Sequence, residues 1–198
     1  KGLPRAGIVH RLDKNTTGLM VIAKDEVSQN HLVRQLQSKK VKREYRAIVW
    51  GQVWKNKSIS QPIGRHPRVR VKMAVNKING KDSITHYEVL ERFGMNSYLR
   101  CNLETGRTHQ IRVHMQFNES PIVGDPVYGL KKIIPTKSMS PNLKKATLEF
   151  DRQALHAIAL GLIHPFTHEP MRWEVDLPAD MKSLLDIIRK EAIPEKEV

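Results

Sequence analysis

Gly7-Ile8-Val9-His10-Arg11-Leu12-Asp13-Lys14-Asn15-Thr16-Thr17-Gly18-Leu19-Met20-Val21-Ile22-Ala23 is the stretch from which the rest of this chain is read. An acid sits beside an arginine and a lysine, in a turn-prone segment with two threonines and a glycine, directly before a short apolar run rich in β-branched residues. That order predicts a buried strand over Gly18 to Lys24, with Asp13 at the rim of a core. An Asp so placed serves as a cap or turn residue, or as an ionised carboxylate flanked by Arg11 and Lys14, which is what a nucleophile or base requires. Position alone leaves both readings open.

The chain around it has 198 residues, enough for one domain with a real core, and we take residues 1–198 as a single domain. Thirty-four Lys and Arg against 20 Asp and Glu give a formal charge of +14. Such an excess attracts polyanions, because each phosphate neutralised releases a condensed counterion, so nucleic acid is the expected partner. Cys101 is the single cysteine, which excludes a disulfide framework and a thiolate zinc site and fits a reducing compartment. No apolar run approaches the roughly 20 residues that span a bilayer, and Lys1 to Arg5 lack a signal peptide's apolar stretch, so the expectation is a cytoplasmic protein with no membrane partner.

Downstream, Asp25 is an N-cap candidate for a helix reaching about Ser38 through Leu32, Val33 and Leu36. The cations Lys39, Lys40, Lys42 and Arg43 follow, placed either against the helix dipole or against phosphate. A second strand carries Tyr45 on one face with Ala47 and Val49, a position more typical of a core residue than of a catalyst. Gly51 to Gly80 reads as loop-rich, with Arg68, Arg70 and Lys72 alternating along an extended strip beside Arg65 and His66. Ser83–Phe93 and Ser97–Leu103 read as strands joined by a hairpin turn. Thr108 is the expected N-cap of a helix ending near Asn118, bearing Arg112 and His109 on one face and Ile111 and Met115 on the core side. His109 and His114 stand five apart, a poor helical spacing for a shared metal, and are assigned to hydrogen bonding. Gly124 to Gly129 is a turn containing Asp125 and Tyr128, and Lys131 to Lys145 a basic loop. Strands over Leu155–Ile163 and Met171–Leu177 precede an amphipathic helix over Ala179–Glu191. Strands and helices mix without βαβ alternation, so the fold class expected is α+β, a mixed and mostly antiparallel sheet flanked by helices and long loops.

The block His10-Arg11-Leu12-Asp13-Lys14-Asn15-Thr16-Thr17-Gly18-Leu19-Met20-Val21 resembles the signature of the RluA/RluD family of RNA pseudouridine synthases. Four more blocks resemble that family in the same order: Lys42-Arg43-Glu44-Tyr45, Arg65-His66-Pro67, Gly106 to Met115, and Gly124-Asp125-Pro126-Val127-Tyr128-Gly129. A sixth, Asp151-Arg152-Gln153-Ala154-Leu155-His156-Ala157, is most similar to the branch that modifies large-subunit ribosomal RNA. Two departures are Asn15, where Asp is frequent, and Ser120, where His is frequent. The resemblance implies the family's catalytic fold and an isomerase that converts uridine to pseudouridine by base flipping. It further implies no cofactor and no metal, with large-subunit ribosomal RNA or its precursor particle as partner, and we expect a monomer. It also implies a longer parent protein, with upstream strands and a small S4-like RNA-binding domain ahead of this portion.

By the same resemblance Asp13 is the catalytic carboxylate, either adding to C1′ or stabilising positive charge there and removing the 2′ proton. Arg112 pairs with it, Tyr45 stacks on the target base and takes the C5 proton, and Arg11 enters the RNA stack to hold the nucleotide out. Lys14, Arg65, Arg68, Arg70, Arg107, His109 and Gln110 are the further RNA-binding candidates, the last three either touching RNA or bracing the Arg112 helix. Two other readings compete. A non-catalytic RNA-binding module needs the charge but not the Asp13, Tyr45 and Arg112 set, and a metal-dependent nuclease needs clustered acidic ligands that the Arg- and His-rich blocks lack.

Overall fold

The computed structural model describes residues 3–69, 71–130 and 139–191. In chain order its elements are β1 (Thr17–Gly18), α1 (Glu26–Gln37), β2 (Lys42–Trp50), β3 (Lys57–Ser60), β4 (Ile63–Arg65), β5 (Met73–Val75), β6 (Ile84–Arg92) and β7 (Asn96–Leu103). There follow α2 (Gln110–Phe117), α3 (Pro141–Leu148), β8 (Leu155–Ile163), β9 (Pro170–Glu174) and α4 (Ala179–Glu191). Seven strands form one sheet in the order β1-β8-β2-β7-β6-β3, with β9 on the remaining part of β8, while β4 and β5 make a separate hairpin. All pairings are antiparallel except that of β1 with β8. The α+β expectation holds.

β2 is the central strand, and from Ala47 to Trp50 it is buried on both faces, so apolar residues occupy both alternating sets. Ile111 and Met115 of α2, Leu143 of α3 and Met181, Leu184, Leu185 and Ile188 of α4 belong to the same core. Asp25 caps α1 by accepting from the Ser28 amide at 2.7 Å, as its position before the helix predicts. One residue, Ile158, is inserted in β8 opposite the junction of Glu44 and Tyr45, where the register shifts. A bulge there bends the sheet beside Tyr45.

Several expectations are corrected. Gly18–Lys24 is not a strand beyond its first residue: Val21 and Ala23 are turned inward while Met20 and Ile22 are exposed, but past Gly18 the stretch meets its neighbours through the isolated Ile8–Ile22 bridge and single hydrogen bonds, the amides of Leu19, Val21 and Ala23 donating to the Ala157 carbonyl, His10 Nε2 and the Gly7 carbonyl. β-like burial is present without a ladder. The loop-rich segment over 51–80 contains β3, β4 and β5. Arg68, Val69 and Lys72 do not form an extended strip but belong to the β4–β5 connection, closed by the His66 amide donating to the Lys72 carbonyl and by His66 Nδ1 accepting from the amides of Arg68 and Val69. Arg70 lies outside the described residues. The basic loop expected to run to Lys145 gives way to α3, capped by Ser140, with residues 131–138 outside the description.

The Asp13 loop is sewn onto β8. Thr17 pairs with His156 and Gly18 with Ala157, and a Cβ on Gly18 would stand 2.2 Å from the Ala157 carbonyl oxygen at a φ of +113°. Gly18→Ala should therefore cost about 3 kcal/mol, through clash and left-handed strain together. Gly51→Ala, also at positive φ but with only ordinary van der Waals contacts around its Cβ, should cost about 1 kcal/mol in the same urea titration.

Candidate active site

The loop after the Gly7–Ala23 closure carries Asp13 at its tip, where the Thr16 amide donates to the Asp13 carbonyl at 3.0 Å and Asn15 takes φ +69°. Asn tolerates that left-handed position. Gln153 clamps the loop from below, its amide donating to the Lys14 carbonyl at 2.7 Å and to Thr16 Oγ1 at 3.0 Å. Arg152 reaches the Asn15 carbonyl at 3.3 Å, and Thr17 Oγ1 meets His156 Nδ1 at 2.8 Å. The Arg152–Ala157 block thus serves as the seat of the acid.

From the other side comes Arg112, with a side chain only 5% exposed. Its Nη1 lies 3.3 Å from Asp13 Oδ2, but its closest partner is Asp125: Nε donates to Oδ2 at 2.6 Å and Nη2 to Oδ1 at 2.9 Å. Asp125 Oδ1 also accepts the amides of Val127 and Tyr128, each at 2.9 Å. Burial pulls the Arg112 guanidinium down, yet the Asp125 hydrogen bonds and both carboxylates leave it above its ordinary range. The Tyr128 ring lies beneath it, 5.0 Å from guanidinium carbon to centroid. Tyr128 in turn receives the Met73 amide at 2.9 Å and meets His109 Nδ1 at 2.8 Å. Asp125 carries no role in the sequence reading, which places it in a turn and in a block of family resemblance; the available hint is that an arginine on a core helix needs a carboxylate, and Asp125 follows the buried Ile122-Val123.

Asp13 and Tyr45 both line a cleft of about 600 Å3, together with Arg11, Arg43, Arg107 and Lys39. Arg112 supports Asp13 from behind the wall. Burial pushes the Tyr45 phenol up to about 12, with Arg43 opposing and Asp13 adding to the rise. It is a neutral phenol at physiological pH. His10, also in the wall, accepts the Val21 amide on Nε2 at 3.1 Å, and burial followed by the nearby Arg43 charge lowers it to about 4.

The remaining candidates scatter. Arg11 is exposed at the cleft. Arg107 lines it while its Nε donates to the Asp82 carbonyl at 3.0 Å. Lys14, Arg65 and Arg68 are exposed but stand outside the lining. Thr108 does not cap α2: the N-cap is His109, at φ +58° with no side-chain cap, which aims its ring at Tyr128. Gln110 does the bracing instead. Its Oε1 accepts from Thr105 Oγ1 at 2.8 Å and the Arg107 amide at 3.0 Å, while Nε2 donates to Ile84 O and Thr85 Oγ1, both at 3.0 Å. His114 is bonded to Thr85 Oγ1 and the Gln61 carbonyl. Among the described residues no cluster of three or more His, Cys, Asp or Glu is placed to hold a metal ion, and no helix is long and apolar enough to cross a membrane.

Comparison with known proteins gives a consistent picture. A family model described as RNA pseudouridylate synthase matches residues 1–117. Ribosomal large subunit pseudouridine synthase D of Pasteurella multocida is 51% identical over 187 residues, 94% of this chain and 57% of that protein. The protein of the same name from Escherichia coli K12 is 47% identical over 195 residues, 98% of this chain and 59% of that protein. The chain thus spans less than two thirds of the curated relatives it matches. Among solved structures, Human RNA Pseudouridylate Synthase Domain Containing 4 superposes with a TM-score of 0.73 at 26% identity, over 92% of this chain and 75% of that one.

Because Asp125 holds two arms of Arg112 and Asp13 only one, Asp125→Asn should destabilise by about 3 kcal/mol, against about 1 kcal/mol for Asp13→Asn, in urea unfolding. His10 makes a second, pH-dependent prediction. Its folded value of about 4 lies below the ordinary 6.5, so the unfolded chain binds the extra proton between them. Stability should be full above about pH 6.5 and fall by on the order of 2 kcal/mol toward pH 4, a loss that His10→Gln reduces in the same titration.

Proposed function

The chain belongs to the RNA pseudouridylate synthase family, and from that premise we propose that it isomerises uridine to pseudouridine at defined positions of large-subunit ribosomal RNA, without cofactor. The reading treats residues 1–198 as one catalytic unit, acting as a monomer in the cytoplasm on the RNA or its precursor particle. The observation that carries it is the Asp13 carboxylate in the wall of a cation-lined cleft, held from behind by Arg112 at 3.3 Å, with the buried ring of Tyr45 in the same wall.

In this reading the N1–C1′ bond of an everted uridine breaks, the uracil turns over, and C5 joins C1′; a proton leaves C5 and one is gained at N1, so no oxidant or outside group enters. A cleft of this size accepts one nucleotide drawn from its stack. Asp13 supplies the negative charge or the nucleophile at C1′. Arg112, anchored on Asp125, fixes where that carboxylate points. Tyr45 enters as a neutral phenol and offers the detached base a flat, dry face. As the C5 base it would have to pass its proton on, and Asp13 is the nearby acceptor. Exposed Arg11 at the rim has the planar head needed to fill the gap left in the stack. Arg107 at the cleft, and Lys14, Arg65 and Arg68 beyond it, extend the path of the strand, while His109 and Gln110 brace the α2 entry.

Asp13→Asn should abolish pseudouridine formation on large-subunit ribosomal RNA, by on the order of a thousandfold or more, while RNA affinity changes less than about threefold. Mapping pseudouridines in cells with and without the gene checks it: identical maps, or an Asp13→Asn protein that restores the missing positions, would leave only a binding module. Activity should persist in excess chelator, which a metal nuclease or hydrolase would not tolerate.

A further inference from the structure

Arg43 is a buried guanidinium with almost nothing in the protein to hold it. The residue is 8% exposed, its Nε has no hydrogen-bond partner, and its Nη2 reaches the Glu104 carbonyl only at 3.5 Å. Among the described residues no carboxylate pairs with it. Glu104, the nearest acid along the wall, is taken by Lys39 at 2.8 Å and His86 at 2.7 Å, and Asp13 by Arg112. Its neighbour His10 is neutral down to about pH 4. A buried cation left this bare lowers the stability of the free protein, and the usual remedies, a partner acid or an apolar residue of similar shape, are both missing.

Its position is specific. Arg43 and Tyr45 lie two apart on β2, hence on one face, and both line the cleft. The loop opposite closes on it through Gly106, where any Cβ would stand 2.5 Å from Arg43 Nη1. The head group is therefore sandwiched between β2 and the 104–107 loop.

We propose that Arg43 binds a phosphodiester of the RNA, the one adjoining the everted uridine whose base meets Tyr45, so that the substrate supplies the counter-charge the fold omits. A phosphate offers two oxygens to the planar fork and turns a costly buried charge into a paired one. The inference rests on the proposed function, and its test separates the two.

The test uses wild type, Arg43→Met and Arg43→Lys with a large-subunit ribosomal RNA fragment that contains the modified uridine. Dissociation constants are measured across potassium chloride concentrations, and thermal unfolding without RNA. Arg43→Met should bind about tenfold more weakly at fixed salt and lose roughly one phosphate's worth of the slope of log affinity against log salt, while its Tm without RNA stays level or rises. Arg43→Lys, which keeps the charge but not the fork, should keep the slope and lose only part of the affinity. A single methylphosphonate beside the target uridine should weaken wild type and leave Arg43→Met unchanged.

An unaltered slope in Arg43→Met would overturn the proposal, pointing to a neutral group such as a base carbonyl. So would a fall in Tm that parallels the loss of affinity, which marks a structural role. If Arg43→Met does not fold, the methylphosphonate effect in wild type against Arg43→Lys decides, and equal binding of modified and unmodified RNA by wild type sinks the idea. Failure of the wild-type protein to form any pseudouridine on the fragment would instead sink the function from which the inference starts.

Discussion

One guanidinium shared by two carboxylates organises this protein. Arg112 gives its Nε and Nη2 to Asp125, which is itself fastened by two backbone amides, and has Nη1 left over for Asp13. The stronger pair is the structural one and the weaker pair faces the cleft. Had Arg112 only Asp13 to satisfy it, a buried cation would depend on a single contact at 3.3 Å. With Asp125 carrying most of the compensation, Asp13 receives a fixed positive neighbour without being locked into a two-pronged bridge, so its outer oxygen remains available to a ligand.

The same division recurs around the cleft. Gln110 spends both ends of its amide on the 105–107 loop and β6, and Gln153 spends its amide on the Asp13 loop. Tyr128 closes a third set, with Arg112 over its ring and His109 on its hydroxyl. These polar groups around the cleft are satisfied by one another, while Arg43, in the cleft wall, keeps a buried Nε with no hydrogen-bond partner.

How much of this was legible in the residues follows from how local each signal is. The helix after Asp25, the hairpin between β6 and β7 and the final amphipathic helix are written in caps, turn residues and periodicity within a dozen positions, and each is found where those signals place it. The apolar run after Gly18 has the right alternation, yet a strand also needs a partner along its edge, and no local pattern reveals whether one exists. Thr108 is a good cap residue overruled from inside the helix by Gln110, a competition that propensity cannot weigh. Asp13, Tyr45 and Arg112 came from resemblance rather than from spacing. Asp125 stands inside a resembling block yet receives no role there, because its partner lies 13 residues away on another element and a turn suffices to explain it.

The stitching of the Asp13 loop to the far end of the chain has a temporal consequence. Its clamps join positions separated by 137 and 139 residues, so during vectorial synthesis the acid emerges from the ribosome long before Gln153 and His156 exist to seat it. A nascent chain carrying the acid but not β8 has a floppy tip and no assembled pocket. Assembly of the pocket is in this way deferred until β8 has been made, an order of events set by the long sequence separation of its clamps.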